Sequence, residues 1–314
     1  MDVMELLTST LIQGLIYALI SYGVYITYSI LDFPDLGVDG TFPLGAAVTA
    51  VLMTRGVNAW LTLPISLLVG GLAGLFTGVV HVKLGVRNLL AGIITMTALF
   101  SVNLQIAGSN LNIDRGTDTI FTSAPVMALL GDLSLTGRKL VVSAVLVIVI
   151  KLLLDAYFRT KSGLLLRAVG DNATLVTTLA KDRGTVKILG LVISNALVAL
   201  GGCIVCHETR SFSATMGTGQ LVYGLAAVII GVSLMNFYSS SRLARGLRKG
   251  GVLRLLASPQ GTTAVVLGSV LYKLCIQIAM SLGLPTNMMK LITAALFLLV
   301  LVLSGRKGEA IIHA

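Results

Sequence analysis

Charge is scarce in this 314-residue chain: 11% of its residues are Asp, Glu, Lys or Arg, against 55% that are apolar. That is too little polar material to cover a soluble globule of this size, so a water-soluble fold is excluded. With a mean hydropathy of +0.94, the chain reads as an all-α polytopic membrane protein, a single domain over residues 1–314. Cysteine occurs three times, as Cys203, Cys206 and Cys275, each inside an apolar stretch, which argues against a disulfide framework or a zinc site. The chain contains no G-x-x-x-x-G-K-[ST], H-E-x-x-H or G-x-S-x-G pattern and no clustered acid-base set. No catalytic residue, metal ligand or cofactor is therefore expected in the chain itself. The opening residues, MDVMELLTST, carry Asp2 and Glu5 but no basic residue. They lack the positive region of a signal peptide, and the first apolar stretch is expected to stay as an anchor.

Apolar runs are plentiful. Nine segments are expected, at about 11–31, 42–53, 61–80, 89–107, 140–158, 188–206, 217–235, 263–282 and 286–304. The polar stretch 159–187, RTKSGLLLRAVGDNATLVTTLAKDRGTVK, carries six Lys or Arg against two Asp, a bias that places it on the cytoplasmic side. Alternation then puts fifteen basic residues inside, among them Lys83, Arg87, Arg242, Arg245, Arg248, Lys249, Arg254, Arg306 and Lys307. Six fall outside: Arg55, Arg115, Arg138, Lys139, Arg210 and Lys290. An outside N-terminus and a cytoplasmic C-terminus follow. The net charge of +10 thus reports membrane topology, and no nucleic-acid partner is implied. Within 159–187, Gly170-Asp171-Asn172 punctuates the chain ahead of a helical stretch from Ala173 to Ala180. Lys181-Asp182-Arg183-Gly184 follows, and the whole reads as a short capped helix outside the bilayer.

Two segments, 42–53 and 217–235, read as broken or half-helices. They run in opposite directions in this topology, and each holds a small-residue run, Gly45-Ala46-Ala47-Val48 and Gly224-Leu225-Ala226-Ala227-Val228. Opposed broken segments point to an inverted-repeat transporter with its path at the repeat interface. Gly70, Gly74 and Gly78 make successive small-xxx-small steps that let a neighbouring helix approach closely.

The candidate path residues are polar groups at membrane depth. Asp32, Pro34, Asp35 and Asp39 lie between two apolar segments with no basic residue nearby. They border a transport path or sit in an ordinary cytoplasmic turn, with Asp39 capping the next helix. Tyr22, Tyr25 and Tyr28 form a stripe that lines an aromatic-accepting path or anchors the helix at the interface. Asn103, Gln105 and Asn195 are path lining or interhelical glue. Lys151 and Asp155, spaced i, i+4, are expected to neutralise each other. Lys273, mid-segment with no acid within a turn, is expected to bond carbonyls of a neighbouring helix. Cys203-Ile204-Val205-Cys206-His207 matches the C-x-x-C-H haem pattern, but the cysteines end an apolar helix, and His81 and His313 fall on the opposite side. Packing is the better reading there. The loop 236–261 holds five basic residues, no acid and leucines at 243, 247, 253, 255 and 256; it lies on an anionic leaflet or is only topogenic. On these residues alone, an ion-coupled secondary transporter using Asp32, Asp35 or Asp39 stays open beside an ATP-driven permease.

The stretch LLLRAVGDNATLVTTLAKDRGTVKILGLVISNALVALGG resembles the cytoplasmic loop and following helix in permease subunits of the branched-chain amino-acid and ribose class of bacterial ABC importers. Leu166-Arg167-Ala168, the Ala180 to Gly184 step and Lys187 carry the likeness. Gly14 to Ala50, VYGLAAVIIG at 222–231 and VLGSVLYKL at 266–274 resemble the subgroup associated with tryptophan- and tyrosine-type binding proteins. The basic stretch around Arg242 to Arg254 is longer than that likeness leads one to expect. The resemblance implies a multi-pass importer permease in the bacterial cytoplasmic membrane that passes a small solute, an amino acid or aromatic compound. It further implies a homodimeric or heterodimeric pore, with a second permease copy as the expected partner, an extracytoplasmic solute-binding protein, and two ATPase subunits holding ATP and Mg. The stretch Leu164 to Gly184 would be the coupling helix, with Leu166, Arg167, Ala168, Gly170, Asp171, Asn172, Ala180 and Gly184 setting its contact with the ATPase.

Overall fold

The computed structural model describes residues 3–171, 182–240, 261–281 and 288–312. The chain opens with α1 (Val3–Val24), which runs into a π-helical turn, Tyr25–Ile30. Then come α2 (Val38–Thr54), α3 (Ala59–Val82), α4 (Asn88–Ala107), strand β1 (Asn110–Asn112), α5 (Ala124–Leu130), α6 (Leu135–Arg159) and α7 (Lys161–Asp171). The rest is α8 (Arg183–Thr209), strand β2 (Ser211–Ser213), α9 (Gln220–Ser240), α10 (Gly261–Ser281) and α11 (Met289–Ile312). Among the described residues, six helical stretches are long and apolar enough to cross a membrane: Met4–Ile30, Ala59–Val82, Asn88–Ala107, Leu135–Arg159, Arg183–Thr209 and Gly261–Ser281. Val38–Thr54, Gln220–Met235 and Leu291–Val302 are shorter apolar helices.

Glycine decides how closely these helices pack. Along α3, a Cβ at Gly70 would strike Ala199 and the Asn195 carbonyl, one at Gly74 the Leu191 carbonyl, and one at Gly78 Ile188. The small-xxx-small steps therefore hold α3 antiparallel on α8 with backbones in contact, as their spacing predicts. The two small-residue runs work the same way. Gly45 lies against Ala199, while Ala227 and Gly231 lie against Gly268 and Ala264, so α9 and α10 are antiparallel. Gly23 meets Ser194 and Val198, and Gly14 meets Val270, which sets α1 antiparallel to both α8 and α10.

These pairings sort the connections onto two ends of the bundle. At one end β1 and β2 pair antiparallel, Asn110 opposite Ser213, and Arg210 Nη1 donates to the carbonyls of Asp114, Arg115 and Thr117. Two three-residue strands are too short to leave an alternating signal, and the all-helical expectation omitted them. At the other end the π-helical turn, the α3–α4 connection and α7 come together. There Gly170 packs on the Ile30 carbonyl and Gly190 packs on Leu31 and Leu166.

The two segments read as broken or half-helices fall on two of the shorter apolar helices, which begin at Val38 and Gln220. Gly170 and Asp171 close α7, whose inner face is buried at Leu166 and Val169. Asp182 belongs to the start of the next described helix. Its carboxylate accepts the Gly184 and Thr185 N–H groups and caps the start of α8. The helical stretch 173–180, with Asn172 and Ala180, lies outside the described residues, as does the basic run 242–254.

Candidate functional site

The break between α1 and α2 is where polar groups enter the core. Asp32 takes a left-handed backbone (φ 51°), which an Asp tolerates and which turns the chain out of the π-helical turn. Its side chain is exposed and Pro34 is half-buried. Asp35 is fully buried: Oδ1 accepts the Gly37 N–H at 2.8 Å and Oδ2 accepts Asn195 Nδ2 at 2.8 Å. Asn195 is saturated in turn, because Nδ2 also donates to the Leu191 carbonyl and Oδ1 accepts the Thr41 hydroxyl at 2.7 Å. The network pins the first turn of α2 to the middle of α8, and each buried member has a partner.

Asp39, two residues into the helix, reaches the start of α9. Its carboxylate accepts the Gly219 N–H at 3.0 Å and the Leu221 N–H at 2.8 Å. One carboxylate thereby caps a helix 182 positions away, which meets the orphan donors and positive end of α9. Pro43 leaves the Asp39 carbonyl without its intrahelical donor, and Gly217 packs onto that carbonyl. Asn103 Nδ2 donates to the Gly40 carbonyl at 3.1 Å, tying α4 to the same turn. A Cβ at Gly40 would press on Met96 and Leu99, and one at Gly92 on Leu36, so α2 and α4 run parallel. Thr77 on α3 meets Thr95 on α4, which sets those two antiparallel. Since α3 and α1 are each antiparallel to α8, and α10 is antiparallel to α1, the direction of α2 opposes that of α9. The opposed pair expected from sequence is present, and its two starts meet at Asp39.

Structure brings together Asp35, Asp39, Asn103 and Asn195 and leaves Asp32 apart. Tyr22 is buried in the main core, its hydroxyl without a hydrogen-bond partner among the described residues. Tyr25 is half-buried against Gly261, and Tyr28 is 38% exposed, so the stripe divides among three environments. Lys151 pairs with Asp155 at 2.8 Å as expected, and Asp155 also accepts the Thr262 hydroxyl.

Lys273 corrects its expectation: the ammonium sits 4.7 Å from the Tyr17 ring centroid, a cation–π contact, and bonds no carbonyl among the described residues. The Tyr17 ring meets Tyr223 at 4.8 Å with a 54° tilt, and Tyr223 meets Tyr272 edge-on at 5.1 Å. Gln220, first residue of α9, lies within interaction range of the Tyr17 hydroxyl. Sequence reasoning passed over Tyr17, Gln220, Tyr223 and Tyr272. The available signal was that the chain holds only eight tyrosines, one of them beside a mid-segment lysine.

At the opposite end, Leu166 is fully buried and Ala168 half-buried, while Arg167 lies exposed with its guanidinium 4.9 Å from the Phe158 ring centroid. Asp171 ends α7, and Gly184 sits in the first turn of α8 beside Val82. The Thr185 hydroxyl and the Gly184 and Thr185 N–H groups hold the exposed Asp182 carboxyl below the usual carboxylate range. The C-x-x-C-H residues all lie within α8: Cys203 and Cys206 are buried, and His207 Nε2 bonds Thr62 Oγ1 at 2.8 Å. No group of three metal-ligating side chains occurs among the described residues. What the contacts build is a polar junction between two opposed helices.

Residues 6–301 match the family described as the branched-chain amino acid transport system permease component. A tyrosine transport system permease protein of Clostridioides difficile is 36% identical over 286 residues, 91% of this chain and 87% of that protein. A probable branched-chain amino acid transport permease of Methanocaldococcus jannaschii is 26% identical over 296 residues, 83% of this chain and 92% of that protein. The ribose import permease of Haemophilus influenzae is 27% identical over 228 residues, 71% of this chain and 68% of that protein. No solved structure matches.

Proposed function

Because this chain belongs to the branched-chain amino acid transport permease family, we propose that it forms the translocation path of an ATP-binding cassette importer for an amino acid or aromatic compound. It is a multi-pass protein of the cytoplasmic membrane and a transport subunit, with no phosphate-cradling loop of its own. ATP and Mg bind on two separate ATPase subunits, a solute-binding protein delivers the solute from outside, and a second copy of the chain completes the pore.

The observation that carries this reading is the Asp39 carboxylate on the Gly219 and Leu221 N–H groups, which joins the starts of two opposed helices. Opposed helix starts of this kind border substrate paths in inverted-repeat transporters. The end bearing α7 is cytoplasmic in this reading: Lys83, Arg87, Arg159, Lys161, Arg167, Arg183 and Lys187 collect there. The N-terminus is then outside and the C-terminus cytoplasmic.

The stretch from Leu164 to Gly184 docks an ATPase subunit. The contacts supply a lever: α7 rests through Gly170 on the Ile30 carbonyl, and the chain passes from Ile30 through Asp35 to Asp39 within ten residues. A shift of α7 driven by the ATPases is thus delivered to the junction as a rigid displacement.

The test is reconstitution of the chain with its ATPase and binding protein in proteoliposomes, scoring uptake of labelled L-tyrosine, L-leucine and ribose. Uptake of an amino acid that requires ATP and all three components supports the reading. Uptake by the chain alone under an ion gradient sinks it.

A further inference from the structure

Lys273 stands at the middle of α10 with only 8% of its surface exposed. Among the described residues its ammonium has no hydrogen bond and no ion-pair partner, only the Tyr17 ring. Glu208, the acid within electrostatic reach, is already paired with Lys139 at 3.0 Å. One ring face returns only part of the hydration a buried ammonium gives up. A cation left so incompletely matched inside a membrane bundle marks a place for an anion.

A second lone group lies on the same ring. Gln220 donates Nε2 to the Met216 carbonyl at 2.9 Å, which leaves its buried Oε1 without a partner among the described residues. Tyr17 therefore stands between an unmatched cation and an unmatched acceptor. Around it are Tyr223, whose hydroxyl donates to the Ser269 carbonyl at 3.0 Å, and Tyr272, whose hydroxyl donates to the Thr293 carbonyl at 3.0 Å. With their hydroxyls satisfied, these two buried rings pack behind Tyr17 as an aromatic wall. The strap ahead of α9 is exposed at Thr215, Thr218 and Gly219, so Gln220 adjoins an accessible face.

We infer that Tyr17, Gln220, Tyr223, Tyr272 and Lys273 form a transit site for a zwitterionic aromatic α-amino acid. Lys273 takes the carboxylate, Gln220 Oε1 the ammonium, and the tyrosine rings the aromatic side chain. An α-amino acid carries both charges on one carbon, which matches a lone cation and a lone acceptor flanking one ring. The match rests on the permease reading and names its substrate class. Because a transit site must release what it binds, its affinity is weak.

Weak binding suits saturation-transfer difference NMR of the wild-type permease with its ATPase subunits in nanodiscs. L-Tyrosine is expected to receive saturation on its ring protons, and tyramine, which lacks the carboxylate, at least about fivefold less. Lys273→Met should lower the L-tyrosine signal about tenfold, while Lys273→Arg keeps most of it. Equal signals for tyrosine and tyramine, or an unchanged Lys273→Met signal, overturn the site. If Lys273→Met fails to assemble, the two ligands on the wild-type complex decide. ATP-driven L-tyrosine uptake without any transfer signal would remove the site and leave the permease reading standing; absence of ATP-driven uptake strikes that reading itself.

Discussion

Replacing Asp39 with Ala removes the acceptor of two N–H groups at once, at 3.0 Å from Gly219 and 2.8 Å from Leu221. A bond to a charged acceptor contributes about 1.5–3 kcal/mol, and an N-cap about 0.5–2 kcal/mol. Gly219 is exposed and regains water when its acceptor leaves, whereas Leu221 is buried and does not. One full bond and a fraction of the second are then lost, about 2–4 kcal/mol. Asp39→Asn keeps one acceptor oxygen and should cost about half as much. At roughly 2 °C per kcal/mol for a chain of this size, the unfolding midpoint in detergent falls about 4–8 °C for Asp39→Ala. Hydrogen exchange should localise the loss to the 219–221 amides. Asp32→Asn, at an exposed position whose left-handed backbone Asn also accepts, serves as the control and should change neither readout. If Asp39→Ala matches wild type in midpoint and in exchange at 219–221, the capping argument fails.

Gly74→Leu should abolish recovery of folded protein, because any Cβ there meets the Leu191 carbonyl; Gly71→Leu, with Val192 as nearest neighbour at 3.5 Å, should be recovered normally by size-exclusion chromatography. Asn195→Leu strands the buried Asp35 carboxylate and should cost about 3–5 kcal/mol, whereas Asp35→Leu/Asn195→Leu costs less than the sum of the single changes by about 1–3 kcal/mol in a denaturation cycle. Strict additivity would remove that pair from the account. The Asp182 carboxyl is lowered in the fold, first by the Thr185 hydroxyl and then by the Gly184 and Thr185 N–H groups. Its cap is therefore intact above the ordinary carboxylate value of 3.8 and is lost as pH falls through the lower folded value. Protection of the Gly184 and Thr185 amides, relative to their intrinsic exchange rates at each pH, should be lost only below about pH 4, and a loss of protection between pH 5 and 7 would contradict the cap.

The sequence made the helices and their close contacts legible for a plain physical reason. Apolar runs near bilayer length and glycines at four-residue steps are local signals, and the Gly70, Gly74 and Gly78 contacts with α8 need nothing more than that spacing. Asp35, Asp39, Asn103 and Asn195 stood out because polar groups are rare in such runs. Their partners did not: Asp39 is 182 positions from Leu221, and Asp35 is 160 from Asn195, distances at which no periodicity operates. Lys273 stood out as a mid-segment charge, but its partner Tyr17 did not, because the two lie on different helices. Gly170-Asp171 was legible as a helix end, whereas the burial of Leu166 and Val169 that seats α7 on the core was not.

The central claim is that the junction of α2 and α9 borders a path opened and closed by partner ATPases. Thr218 is exposed beside that junction, and Cys203 and Cys206 are buried, so Thr218→Cys in a Cys275→Ser background gives a single accessible thiol among the described residues. In the assembled importer, reaction with a membrane-impermeant maleimide should change at least about tenfold between the nucleotide-free and ATP-trapped states. A labelling rate that is the same in both states, or no labelling in either, would contradict the account.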